Sequence, residues 1–273
     1  MPRIVRFVHA QTGPNPRYGV LEDDGHVSVI EPHPFTRFKP TGERAPLEGL
    51  QLLAPVIPSK LICAGKNYAD HAAEMGGDVP DEALLFLKPS SSVIGPGEAI
   101  RVPTDMTAEV HHEAELAVVI GALMQRVTPE QAMQGVLGYT IANDVTARDL
   151  QRRENQWFRG KAFDTFCPLG PAIATDLDPS NVRIRCWVDD ELRQDGTTAD
   201  LVFGVAELIS VASQVTTLLP SDVILTGTPA GVGPMRPGQR VRVEIDGIGV
   251  LDNPLVDREA SATPPPPNGQ ASA

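Results

Sequence analysis

The chain is short of the features that mark several large classes of protein. No apolar run approaches the roughly 18 residues a membrane-spanning helix needs, and aromatic residues make up only 5% of the sequence. Three cysteines, Cys63, Cys167 and Cys186, are too few and too irregularly spaced for a disulfide framework or a zinc site, which fits a reducing compartment. Cations are also scarce: 23 Lys and Arg stand against 35 Asp and Glu, a formal charge of -12. Nucleic acid and anionic membrane surfaces both require clustered Lys and Arg, so neither is expected as a partner. The opening MPRIVRFVHAQTG lacks the apolar core of a secretion signal. These absences predict a cytoplasmic protein, in which any anionic substrate must be held by local cations.

What is present is ample apolar material, 41% of 273 residues, enough for one large domain and a small one. Short apolar pieces separated by Gly and Pro (Ile4 to Val8, Tyr18 to Leu21, His26 to Ile30) predict a small β-rich N-terminal domain over residues 1–57. Pro55 and Pro58 mark its boundary with a main domain over 58–256, and the Pro-rich end, 257–273, reads as a disordered tail.

The most informative stretch is His111-His112-Glu113-Ala114-Glu115, which leads into the β-branched run up to Ile120. As a strand, it points Glu113 and Glu115 to one face, whereas on a helix they would lie roughly 200° apart. Two neighbouring carboxylates repel unless a cation lies between them, and a hard divalent ion with oxygen ligands is the usual solution; a polar strand face turned to water is the alternative. His111 is in phase with the two glutamates, but no further His stands at a usable position to complete a mixed His-carboxylate site. Asp144 ends the strand Val136 to Ala142 as a third carboxylate, and capping residues from Thr146 predict a helix after it. Upstream, GKNYADHAAEMGG (65–77) predicts a short helix on which His71 and Glu74 share a face, flanked by flexible glycines. A second helix is expected over Asp200 to Leu219. Cys167 with His71 forms a formal nucleophile pair, but a cysteine between Phe166 and Pro168 reads as inert filler. Gly227 to Gly233 lacks the Lys-Ser/Thr ending of a phosphate loop, so nucleotide binding is not expected.

Six motifs in order, GKNYADH, LFLKPSS, HHEAEL, NDVTARDLQ, KAFDTFCP and LTGTPAGVGP, resemble the fumarylacetoacetate hydrolase superfamily from about Leu61 to Leu255. The resemblance is nearest to its bacterial 2-hydroxyhepta-2,4-diene-1,7-dioate isomerases and its acylpyruvase/oxaloacetate decarboxylase group. It implies a mainly β (α+β) fold, a mixed β-roll/sandwich with short helices. It also implies Mg2+ or Mn2+ held by Glu113, Glu115 and Asp144, an acid-base pair His71 and Glu74 on a lid spanning Asp70 to Asp81, and Lys161 steadying an oxyanion. Arg148, Gln151 and Thr228 match positions near the substrate. Where fumarylacetoacetate hydrolase itself places a further acidic metal ligand, this chain has Lys66-Asn67, which points to the smaller relatives' substrates.

The implied function is carbon-carbon cleavage of a small, enolisable 2-oxo dicarboxylic or 2,4-dioxo acid through a metal-bound enolate, by acylpyruvate hydrolysis or oxaloacetate decarboxylation. Isomerisation of a 2-hydroxyhepta-2,4-dienedioate in aromatic catabolism is the alternative. A β protein that binds metal without catalysis is the reading from another class. The resemblance also implies a homodimer.

Overall fold

The computed structural model describes residues 2–9 and 13–258, so the expected disordered tail falls, beyond Arg258, outside the described residues. The fold is mainly β. Its spine is a 12-stranded sheet whose principal path runs from Lys39–Pro46 through His26–Glu31, Gly13–Leu21, Arg3–His9, Cys167–Ala174, Val136–Asn143, Ala114–Ile120, Val223–Leu225 and Leu61–Gly65 to Leu84–Lys88. A 5-stranded sheet built on Arg183–Val188 and Arg240–Ile245 packs beside it, and a 3-stranded sheet joins Thr146–Ala147, Val110–His112 and Gly233–Met235. The N-terminal strands extend the main sheet directly, because Arg3 and Ile4 pair with Ala174 and Ile173.

At the centre lies Ala114–Ile120, every residue of which is buried. It pairs antiparallel with Val136–Asn143 on one side and Val223–Leu225 on the other, which explains its continuous apolar run: both faces are covered. Leu116, Val118 and Ile120 enter one core, and Ala117 and Val119 enter another. Glu115 continues the second of these faces.

Three expected elements differ. The acidic strand is interrupted at Glu113: residues 110–112 belong to the small sheet and 114–120 to the large one. The chain changes sheets there because the Asn143 side chain, not a backbone carbonyl, accepts the Glu113 N–H at 3.0 Å. The helix expected from Thr146 begins instead at Arg148, since the Thr146 hydroxyl is engaged with Glu113 Oε1 at 3.2 Å and the Asp144 carbonyl at 2.8 Å. The helix expected over Asp200 to Leu219 contracts to Val205–Val215. Residues before it are tied to the loop ahead of His71, by a bridge between Tyr68 and Leu201 and a bond from Val202 N–H to the Asn67 carbonyl at 3.0 Å. Residues after it leave the helix because Leu218 bridges to Met124.

Candidate active site

The carboxylates gather where the acidic strand changes sheets. Asn143 and Asp144 stand opposite that break, and the Asp144 N–H donates to the Glu113 carbonyl at 2.8 Å, which fixes the two residues side by side. Ligand oxygens of Glu113, Glu115 and Asp144 all lie within 4.8 Å of one another, and all three residues are buried.

Two of the three are balanced by cations. Lys161, at the end of the short helix Phe158–Lys161, reaches Glu113 Oε2 at 2.7 Å and Asp144 Oδ2 at 2.6 Å. Arg148 pairs with Glu113 Oε1 and donates to Gln151 Oε1 at 2.5 Å. Lys88 lies 2.7 Å from Asp144 Oδ1 and donates to the Lys161 and Val145 carbonyls, the latter at 3.2 Å. Burial alone would raise the Glu113 carboxyl, but Lys161 and Arg148 outweigh it and hold it well below the usual carboxylate range. For Lys161, burial lowers the ammonium's pKa, yet Asp144 and Glu113 raise it above its ordinary value. Glu115 makes no ion pair among the described residues, and the pull of Lys161 on it is outweighed. Its Oε2 accepts the Gly227 N–H at 2.6 Å, and burial together with Asp144 and Glu113 pushes it well above the ordinary value. Gly227 adopts φ +98, and a Cβ there would meet Asn67 Cβ at 2.9 Å, so only glycine brings this amide to the carboxylate. An all-oxygen, carboxylate donor set with one member left without a positive partner fits a hard divalent cation such as Mg2+ or Mn2+.

Above the cluster opens a cleft of about 150 Å3. His71, Glu113, Glu115, Arg148, Gln151, Lys161 and Thr228 line it. Of the remaining expected residues, Asp144 lies in the carboxylate cluster and Glu74 sits behind His71, with a carboxylate oxygen 3.2 Å from His71 Nδ1. Glu74 in turn accepts the Gly231 N–H at 3.1 Å, so the helix Ala69–Glu74 is docked and His71 is buried. Thr228 is committed: its hydroxyl donates to the Ala114 carbonyl at 2.9 Å and accepts from Gln194 Nε2 at 2.7 Å. Phe86 and Trp157, packed edge-on with centroids 5.3 Å apart, form an apolar wall, and Lys161 Nζ lies 5.2 Å from the Phe86 ring centre.

Sequence reasoning passed over Lys88, Asn143 and Gln194. Lys88 carried one signal, a cation closing the apolar strand LLFLK; Gln194 carried none, because its partners His112, Ala114 and Thr228 are brought to it only by the fold. His111 turns away to Glu109 at 2.8 Å. Cys167 is fully buried and its thiol is pushed up to about 12 by burial, which leaves no thiolate for nucleophilic attack.

Fold and site together define a metal-dependent enzyme with a carboxylate centre on a β scaffold. The chain belongs to the fumarylacetoacetate hydrolase family: residues 60–256 match the family model described as fumarylacetoacetate (FAA) hydrolase C-terminal, and residues 3–55 match one described as Rv2993c-like, N-terminal. Among curated relatives, an oxaloacetate tautomerase, fahd2, mitochondrial, from Xenopus laevis is 42% identical over 289 residues, covering 93% of this chain and 90% of that protein. The crystal structure of a 5-carboxymethyl-2-hydroxymuconate delta-isomerase from Mycobacterium smegmatis is 45% identical with a TM-score of 0.87, covering 93% of this chain and 99% of that one. A fumarylpyruvate hydrolase from Pseudomonas aeruginosa, solved with Mn2+ and pyruvate, is 37% identical with a TM-score of 0.70, covering 76% of this chain and 92% of that one. Among the described residues, no helix is long and apolar enough to cross a membrane.

Proposed function

We propose that this protein forms and quenches the enolate of a small 2-oxo dicarboxylic acid, with keto-enol interconversion of oxaloacetate as its first reaction. The observation that carries the reading is the convergence of three carboxylates, Lys161 and His71 on one cleft. What a divalent cation supplies when held by Glu113, Glu115 and Asp144 is Lewis-acid stabilisation of negative charge on the 2-oxo oxygen. The charge count favours a dianion as substrate. With all three carboxylates ionised, as a cation requires, Lys88, Arg148 and Lys161 balance them, so an added divalent ion leaves the cluster with two positive charges to be met.

The chain's own groups then handle the protons. Glu74 fixes His71 through Nδ1, leaving the other ring nitrogen to take a proton from, or return it to, C3 of the substrate. Lys161 donates two of its three N–H groups to Glu113 and Asp144 and offers the third to the 2-oxo oxygen, where charge develops. Moving a proton between C3 and that oxygen needs nothing more, which agrees with the tautomerase relative. Carbon-carbon cleavage uses the same enolate as leaving group: loss of carbon dioxide from oxaloacetate, or attack on a 4-oxo carbon by water activated at His71. The fumarylpyruvate hydrolase relative favours this as the second reading, and the isomerase structure favours proton transfer between carbons as a third. The proposal includes a homodimer.

The test is to assay purified protein with Mg2+ or Mn2+ on oxaloacetate, acetylpyruvate and fumarylpyruvate, following enol absorbance and pyruvate separately. Tautomerisation accelerates enol decay without pyruvate, whereas cleavage releases pyruvate. Absence of any metal-dependent turnover would leave a non-catalytic metal-binding β protein.

A further inference from the structure

Four cations line the cleft: Lys66, Arg148, Arg152 and Lys161. Three of them are committed within the protein. Arg148 holds Glu113 and Gln151, Lys161 holds Glu113 and Asp144, and Arg152 is 2.7 Å from Glu109. Lys66 alone among them has neither a hydrogen bond nor an ion pair within the described residues, although it is half-buried.

The backbone places it there against its own preference. Lys66 adopts φ 54, in the left-handed region that unbranched L residues rarely occupy, and such outliers persist where the surroundings over-determine them. The determinant is Asn67. Its Nδ2 donates to the Phe203 and Thr226 carbonyls at 2.9 and 2.8 Å, and its Oδ1 accepts the Phe203 N–H at 2.8 Å, so the chain on one side of Lys66 is clamped. The ammonium lies close over Gly77, where a Cβ would come within 2.6 Å of Lys66 Nζ and push it aside. A cation that lines the cleft on a clamped stretch of backbone, and that no anion of the described residues answers, is available to pair with an anion carried by a ligand.

From this we infer that Lys66 is the specificity-determining residue for the substrate's distal carboxylate, the one remote from Glu113, Glu115 and Asp144. The inference rests on the reading of the site as one for 2-oxo dicarboxylates and deepens it: a monocarboxylate would leave Lys66 unpaired. A charge-assisted contact of this kind corresponds to about 10- to 100-fold in affinity.

The test uses a matched pair of ligands that are not turned over, lactate and malate, which differ only by the distal carboxylate. Each is titrated calorimetrically into the Mn2+-loaded protein. The wild type is expected to bind malate about 10- to 100-fold more tightly than lactate. Lys66→Met should bring the two within about threefold while leaving lactate affinity unchanged, and Lys66→Arg should keep most of the preference. Gly77→Ala, which crowds the ammonium without removing it, should reduce malate affinity selectively and keeps the test decisive if Lys66→Met fails to fold. A malate preference that survives both Lys66→Met and Gly77→Ala, or a wild type that binds the two alike, overturns the inference while leaving the enolate chemistry standing. Binding of neither ligand, together with no turnover of any 2-oxo acid, overturns both.

Discussion

Glu115 is the one carboxylate of the cluster that makes no ion pair among the described residues, and its energetics follow from that. Burial and two neighbouring carboxylates raise its pKa well above the ordinary value, so a metal-free folded protein holds the proton more tightly than the unfolded chain does. A group raised in this way costs stability as pH climbs past its unfolded value, unless a cation binds. Glu115→Gln should therefore leave the metal-free protein at least as stable as the wild type at pH 8, yet abolish both the Mn2+-induced rise in Tm and the activity. Calorimetric titration showing unchanged Mn2+ affinity would remove Glu115 from the ligand set. His112 makes the opposite kind of prediction. Buried and hydrogen-bonded to Gln194 at 2.9 Å, its pKa falls from 6.5 to about 4, chiefly by burial. Its contribution is fully present above pH 6.5 and is lost as pH falls towards 4, an effect of about 3 kcal/mol. Urea unfolding of wild type and His112→Asn across that window should show a shallower acid loss in the variant; parallel curves would show that other groups carry it. At this scale the sequence was legible wherever spacing alone fixed a direction. Glu113 and Glu115 were readable because a strand alternates, and His71 with Glu74 because a helix repeats. Lys88 and Gln194 were not, because whether a side chain on a strand points into a site depends on what the fold lays over it.

The helix Ala69–Glu74 shows how an element too short to persist alone is held by contacts at its ends. Six residues make less than two turns and would not survive in water, so its order comes from Glu74 bonding to Gly231 and from the clamp at Asn67. Its anchors are mainly polar, with Tyr68 and Ala72 as its buried apolar contacts, which makes this the natural opening element of the cleft. Hydrogen exchange of the Mn2+-loaded protein should show residues 70–81 exchanging faster than the central strand 114–120 and becoming protected when oxalate is added. Equal protection with and without oxalate would make the helix a fixed wall. Glu74→Ala should accelerate exchange there and lower turnover about 100- to 10,000-fold, since it frees both the helix and the His71 ring. Element types were read well from pattern and element ends poorly. The run through Glu113 looked like one strand because alternation continues across the break, and only Asn143, distant in sequence, makes the chain change sheets. The helix expected to reach from Asp200 lost its first turns to strand-like contacts with Tyr68 and Asn67, which no local propensity contains.

Among the described strands, one end of the large sheet lacks the usual edge protection. Leu84–Lys88 ends the principal path of the large sheet, pairing among the described strands only with Leu61–Gly65, so its other side presents unpaired backbone groups. Natural edges are usually blunted by charge, proline or a bulge, and the stretch Leu84-Leu85-Phe86-Leu87 has none of these. Leu84 and Leu87 are 38% and 58% exposed, and Phe158, next to the Trp157 that packs on Phe86, is 66% exposed. An apolar edge of this kind calls for a cover, and a second copy related by a two-fold axis is the commonest arrangement that closes on itself. The same strand carries Phe86 and Lys88 into the site, so a partner laid along its outer side would also hold the wall of the cleft and the cation beside Asp144. Light scattering at micromolar concentration should accordingly give twice 29.2 kDa, and Leu87→Glu should shift the mass towards a single chain. If the edge also steadies the site, turnover per chain should fall in step with dimer content, both in Leu87→Glu and on dilution of the wild type. A wild-type mass of one chain would end the proposal. A dimer that Leu87→Glu leaves intact would move the interface to another face and return this edge to solvent.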